Sequence, residues 1–154
     1  MSLWDWAVHA YAAEGVSETC LTLQDVHDQN VPLLLWAAWT AATGRRPDNE
    51  TIEAAADTAR AWDLAAVAPL RAVRRTLKAP IPDIDDPARE AVRTRVKAIE
   101  LEAERHLLAA LEALSPGPDA APQPPITALA AAARAWGTVT PRPALVRLAE
   151  RLPA

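Results

Sequence analysis

Apolar side chains recur along this chain at intervals of three and four residues, the spacing that places them on one face of a helix. Leu3, Trp6, Ala7, Ala10 and Tyr11 predict a first helix from Ser2 to Ala13, with Ser2 and Asp5 as a capping box and Gly15 as its stop. Ser17 is the expected cap of a second helix, whose apolar side runs through Cys20, Leu23 and Val26 or His27 until Asp28-Gln29-Asn30 ends it.

The third element is different in kind. Asn30 can cap it, and Pro32 suits its first turn, where a missing N–H costs nothing. Between Val31 and Ala42 the only polar side chain is Thr40, so this helix is apolar nearly all round and has to be covered on most sides. It is expected at the centre of the fold or at an oligomer interface.

Pro47-Asp48 opens a fourth segment, with Ile52, Ala55, Ala56, Ala59, Trp62 and Ala66 on one side, that resumes in Leu70, Val73 and Leu77 after Pro69 kinks or splits it. Asp86-Pro87 starts the longest helix, Asp86 to Leu114, in which Val92, Val96, Ile99, Ala103, His106 and Ala110 are spaced like a coiled-coil seam. Residues 115–125 hold five prolines and a glycine and read as a semi-extended, mobile linker. Two short helices follow, Ile126 to Trp136 and Pro141 to Leu152, the latter with Thr140 as its cap.

The predicted fold is all-α: one helical bundle over residues 1–114 with a central apolar helix, a proline-rich linker at 115–125, and a C-terminal helical hairpin at 126–154 docked on the bundle. Abundant alanine and the absence of phenylalanine agree with helix over strand. A chain of 154 residues can form a sizeable core without a staple. Its single cysteine, Cys20, excludes an internal disulfide and fits a reducing compartment, so the expected location is the cytoplasm. The apolar runs are too short for a membrane span, and no secretory signal is evident.

Charge is unevenly spread. Residues 1–44 carry five acids and no lysine or arginine, whereas residues 45–79 carry seven bases against five acids, so the two stretches attract each other. Arg71, Arg74, Arg75 and Lys78 cluster on one helix face and form a candidate anion-binding site. The acidic isoelectric point, near 5.4, and the lack of interleaved aromatic residues argue against nucleic acid as the partner.

Chemistry-bearing groupings are few. Asp5, His9, Asp25, His27 and Asp28 are candidate metal ligands, provided the first two helices bring them together. His106 sits four residues after Glu102, but no second copy of such a pair exists to build a two-metal bundle site, and its place on the seam marks it as a core histidine. No serine or cysteine nucleophile lies in a catalytic arrangement, and no glycine-rich loop for a cofactor phosphate is present, so neither catalysis nor a cofactor is expected. Trp4 and Trp6 project from different sides of the first helix, and Trp36 and Trp39 share a side of the third. These four are the candidate protein-interface residues.

At Leu21 to Trp39, and again at Leu3-Trp4-Asp5-Trp6 and Val67-Ala68-Pro69-Leu70-Arg71, the sequence resembles an uncharacterised family of small proteobacterial proteins of about this length, a domain of unknown function. Asp28 and Pro32 depart from the family's pattern. The resemblance implies a bacterial, stand-alone helical protein and lends no activity. The functional expectation is a non-enzymatic interaction module that binds a protein partner or a second copy of itself, with a metal or small-ligand protein using the first two helices as the alternative.

Overall fold

Four helices open on a side chain that occupies a first-turn amide with no partner within the helix. In a computed structural model describing residues 1–137 and 139–153, the Ser2 hydroxyl accepts the Asp5 amide at 3.1 Å and starts α1, Leu3–Tyr11. The Asn30 amide oxygen accepts the Leu33 amide at 3.0 Å and starts α3, Val31–Ala42. Asp48 caps α4, Asn49–Trp62, through the Thr51 amide at 2.8 Å. Between these, α2 spans Val16–Asp25 and begins on Gly15 at a φ of 80°, so Ser17 lies inside the helix rather than at its cap.

Every residue from Val31 to Ala41 is buried. The expectation of an enclosed central helix is met by the chain itself, since α1, α2, α4, the long α6 (Asp86–Leu114) and α7 (Ile126–Trp136) all contact α3. Trp36 and Trp39 have no exposed surface. Their indole N–H groups still find acceptors, Trp36 at the Ser115 hydroxyl (2.7 Å) and Trp39 at the Met1 carbonyl (3.4 Å). The one hydroxyl on the helix, that of Thr40, donates to the Ala37 carbonyl at 2.7 Å. A buried aromatic of this size contributes roughly 3–5 kcal/mol against truncation to alanine.

Pro69 neither splits nor ends the fourth rod. A proline ring crowds the carbonyl four residues back, and here the helix widens just before it. Residues Asp63–Val67 form a π turn, in which the Ala68 amide donates to the Asp63 carbonyl, and α5, Ala68–Thr76, continues from it. Counting α4, the π turn and α5 as one, seven helical rods pack together among the described residues, with no strand.

The long helix has the predicted span and a different buried face. Its cap is Asp85, one residue earlier than expected, accepting the Ala88 amide at 2.7 Å. Arg89, Glu100, Ala103, Leu107, Leu108 and Leu111 face inward, while Val92 (52%), Ile99 (50%) and the His106 side chain (69%) are exposed. The sequence seam is therefore corrected. His106 is a surface residue 3.8 Å from Glu102, not a core histidine.

The proline-rich stretch lies across the end of α3, where the Ala120 and Gln123 amides donate to the Gly44 and Ala41 carbonyls, each at 2.9 Å. Beyond it, α7 packs on α3 and α4, and α8, Arg142–Arg151, packs on α2. Pro141, not Thr140, holds the cap position of α8. Leu129, Leu145 and Leu148 join the same apolar cluster as Trp36 and Trp39. No described helix is long and apolar enough to cross a membrane.

Gly44 sits at a φ of 70°, and a Cβ there would come within 1.8 Å of the Ala120 carbonyl oxygen. Gly44→Ala is expected to cost about 2 kcal/mol or more in denaturant unfolding. Gly137→Ala, with nothing within 4 Å of the added carbon, is expected to change stability by no more than about 0.5 kcal/mol. Equal effects of the two changes would show that the proline-rich stretch does not approach α3 as closely as described.

Candidate functional site

Because α3 needs cover on all sides, α1 and α6 flank its N-terminal half, and the space they leave is a cleft of about 320 Å³. Trp4, Val8 and Tyr11 of α1 form one wall, Leu101, Glu104 and Leu108 of α6 the other, and Val31, Pro32 and Leu35 the floor. The α1 amide at Leu3 donates to the Glu112 carboxylate at 2.9 Å, which ties the start of α1 to the end of α6 and sets the separation of the walls. At the rim the Arg105 guanidinium lies 4.9 Å from the centre of the Trp4 ring.

Glu104 is the one acidic side chain lining this cleft, between two leucines. Behind it runs a chain of ion pairs. Arg74 holds the buried Glu100 carboxylate at 2.6 and 3.3 Å, and Arg71 lies 3.7 Å from Glu100 and 4.0 Å from Asp63 while donating to the Gln24 amide oxygen at 3.2 Å. Burial pushes the Glu104 carboxyl up to about 7; the Glu100 charge adds to the shift and Arg71 and Arg74 oppose it. Burial also raises Asp63, against Arg71 and with help from Asp28. Tyr11 is 40% exposed at the mouth of the cleft, yet desolvation against the cleft, with Cys20 and Glu104 adding to the effect, holds its hydroxyl protonated above its ordinary range. Burial alone pushes the Cys20 thiol up to about 12, which leaves it inert as a nucleophile.

Trp6, Trp36 and Trp39 are buried in the core, so of the four tryptophans proposed for an interface only Trp4 reaches the surface, half-buried at the cleft. The five candidate metal ligands are not gathered, and no group of three or more histidine, cysteine, aspartate or glutamate side chains suited to a metal ion occurs among the described residues. The reasons are local. Asp5 closes the α1 cap with Ser2, His9 and His27 point to solvent, and Asp25 is held by Arg75 at 2.6 Å. Asp28 turns the chain at a φ of 51°, and its carbonyl accepts the Trp136 indole N–H at 2.6 Å.

The basic cluster is largely self-neutralised. Arg71 and Arg74 face Glu100 on α6, and Arg75 faces Asp25 at the surface, so of these ion pairs only Arg75–Asp25 joins the basic middle to the acidic N-terminal stretch. Lys78 alone of the four stays exposed without an ion pair among the described residues. Glu104 is the site residue that sequence reading missed. Its signal was present, since Leu101, Glu104 and Leu108 repeat at three and four and set one acid into an otherwise apolar stripe.

A raised glutamate has a testable sign. An unfolded glutamate ionises near 4.5 and the folded one near 7, so between those values the folded state keeps a proton that the unfolded state has lost. Stability attributable to Glu104 therefore falls as pH rises through that window and is flat above it. Glu104→Gln is expected to exceed the parent by roughly 1–3 kcal/mol at pH 8 and to match it near pH 4.5 in chemical unfolding. Parallel pH profiles for the two proteins would contradict this assignment.

No curated protein and no solved structure matches the chain. The model of a protein family described as protein of unknown function (DUF2390) matches residues 2–111, from the cap of α1 to the last buried leucine of α6 and so across every residue of the cleft, and the chain belongs to that family.

Proposed function

We propose that the protein is a non-enzymatic interaction module that seats a segment of a partner polypeptide in the cleft between α1, α3 and α6, and that it works in the cytoplasm, where its one thiol stays reduced. The observation that carries the reading is the composition of that cleft: apolar floor and walls, exposed Val8, Tyr11 and Leu101 around the mouth, and a stacked Trp4–Arg105 pair at the rim. Aromatic and arginine side chains beside an apolar depression are the residue types that dominate binding energy at protein interfaces.

Self-association is a second reading with its own support. The uncovered edge of α6 presents Val92, Ile99 and His106 at seven-residue intervals beside the half-exposed Trp62. Arg95 and Glu102 flank that edge, so two antiparallel copies would set each arginine against the other copy's glutamate. Light scattering on the parent and on Ile99→Glu distinguishes it, a dimer that the substitution dissolves being the expected result and a parent that stays monomeric the contrary one.

The principal reading is tested by quantitative capture from the native cell with the parent, Leu101→Arg at the cleft mouth and Leu64→Arg at the exposed π turn as baits. At least one protein is expected to be depleted roughly tenfold or more by the first substitution and retained by the second. Indistinguishable captures from all three baits would overturn it.

A further inference from the structure

The electrostatics of the cleft specify what the bound segment carries, an inference that rests on the cleft being the binding site. Three carboxylates, Asp63, Glu100 and Glu104, share two guanidinium groups, Arg71 and Arg74, and the distances show how they are divided. Arg74 is committed to Glu100 at 2.6 Å and Arg71 lies between Glu100 and Asp63. Glu104 is left over. It accepts no hydrogen bond and joins no ion pair among the described residues, and it lines the cleft.

Across from it, on α1, the Tyr11 hydroxyl also has no hydrogen-bond partner among the described residues, and α3 contributes no titratable side chain to the floor. An ionised carboxylate set in an apolar wall is costly without a cation. Acceptors on two different walls suit a compact head with three diverging donors better than a planar fork, and an apolar cleft suits the hydrocarbon stem that carries such a head.

We propose that the cleft receives a lysine side chain of the partner, its aliphatic stem against Trp4, Leu35 and Leu108 and its ammonium group at Glu104 and Tyr11. The pH dependence has a fixed sign. Glu104 must ionise to hold the ammonium group, and its proton is held up to about 7 by burial and Glu100, with Asp63 adding and with Arg71 and Arg74 opposing; Tyr11 stays neutral throughout. Binding therefore strengthens as pH rises through neutrality, by roughly tenfold between pH 6 and pH 8.

The test is an NMR titration of the full chain with three probes: the peptide acetyl-Leu-Lys-Leu-amide, the same peptide with norleucine in place of lysine, and free n-pentylammonium. At pH 8 the lysine peptide is expected to shift amides of α1 and α6 around the cleft and to bind about tenfold or more tightly than the norleucine peptide. Glu104→Gln, which removes charge without removing volume, is expected to abolish that preference, and pH 6 to shrink it.

Equal binding of the two peptides to the parent, or a lysine preference that survives Glu104→Gln, overturns the assignment of Glu104 while leaving the cleft as a binding site. Pentylammonium binding as tightly as the lysine peptide overturns a polypeptide as the source of the ammonium group. No probe reaching the cleft overturns this inference and the proposed function together.

Discussion

A helix that is apolar on every side cannot be left against water, and the arrangement of this protein follows from that requirement. From Val31 to Ala41 no side chain is exposed, and five other helices are needed to achieve it. The geometry of enclosure has a consequence for function. Cylinders packed around a cylinder leave grooves between them, and where α1 and α6 flank α3 the groove is wide enough to form the cleft. A segment bound there would contact Leu35 on the central helix itself, so binding and core stability are coupled through the same floor residues.

Charge organises the layer outside the core. The acidic N-terminal stretch and the basic middle meet through Arg75 and Asp25, and Arg71 reaches Gln24 in the same place. Where the rod containing α5 crosses α6, the contact is polar: Arg74 on Glu100, and Arg89 on the carbonyls of Leu77 and Lys78 at 2.7 and 3.2 Å. The domain thus has an apolar end around α3 and an ionic end around α5. Glu104 lies at their boundary, and that position explains both its raised proton affinity and its access to the cleft.

The parts of the fold readable from sequence are those set by local chemistry. Asn30-Val31-Pro32 announces the start of α3, and the span of α6 follows from its proline and aspartate boundary and its uninterrupted helix formers. The face that α6 buries was not readable. Its apolar heptad points to Val92, Ile99 and His106, whereas the fold buries Arg89 and Glu100, because the Leu77 and Lys78 carbonyls accept from Arg89 and Arg74 pairs with Glu100 there. Partners distant in sequence likewise made Arg71, Arg74 and Arg75 look free. Likewise nothing local says that Pro69 is absorbed by a π turn, or that Trp136 would reach the Asp28 carbonyl and Trp6 the core.

The enclosure of α3 is open to direct measurement by native-state hydrogen exchange across a denaturant series. If the helix is the element around which the others close, amides from Leu35 to Ala42 exchange only through global unfolding, with the free energy of the whole domain. Exchange of those amides through a smaller opening, ahead of α4 and α6, would contradict the account.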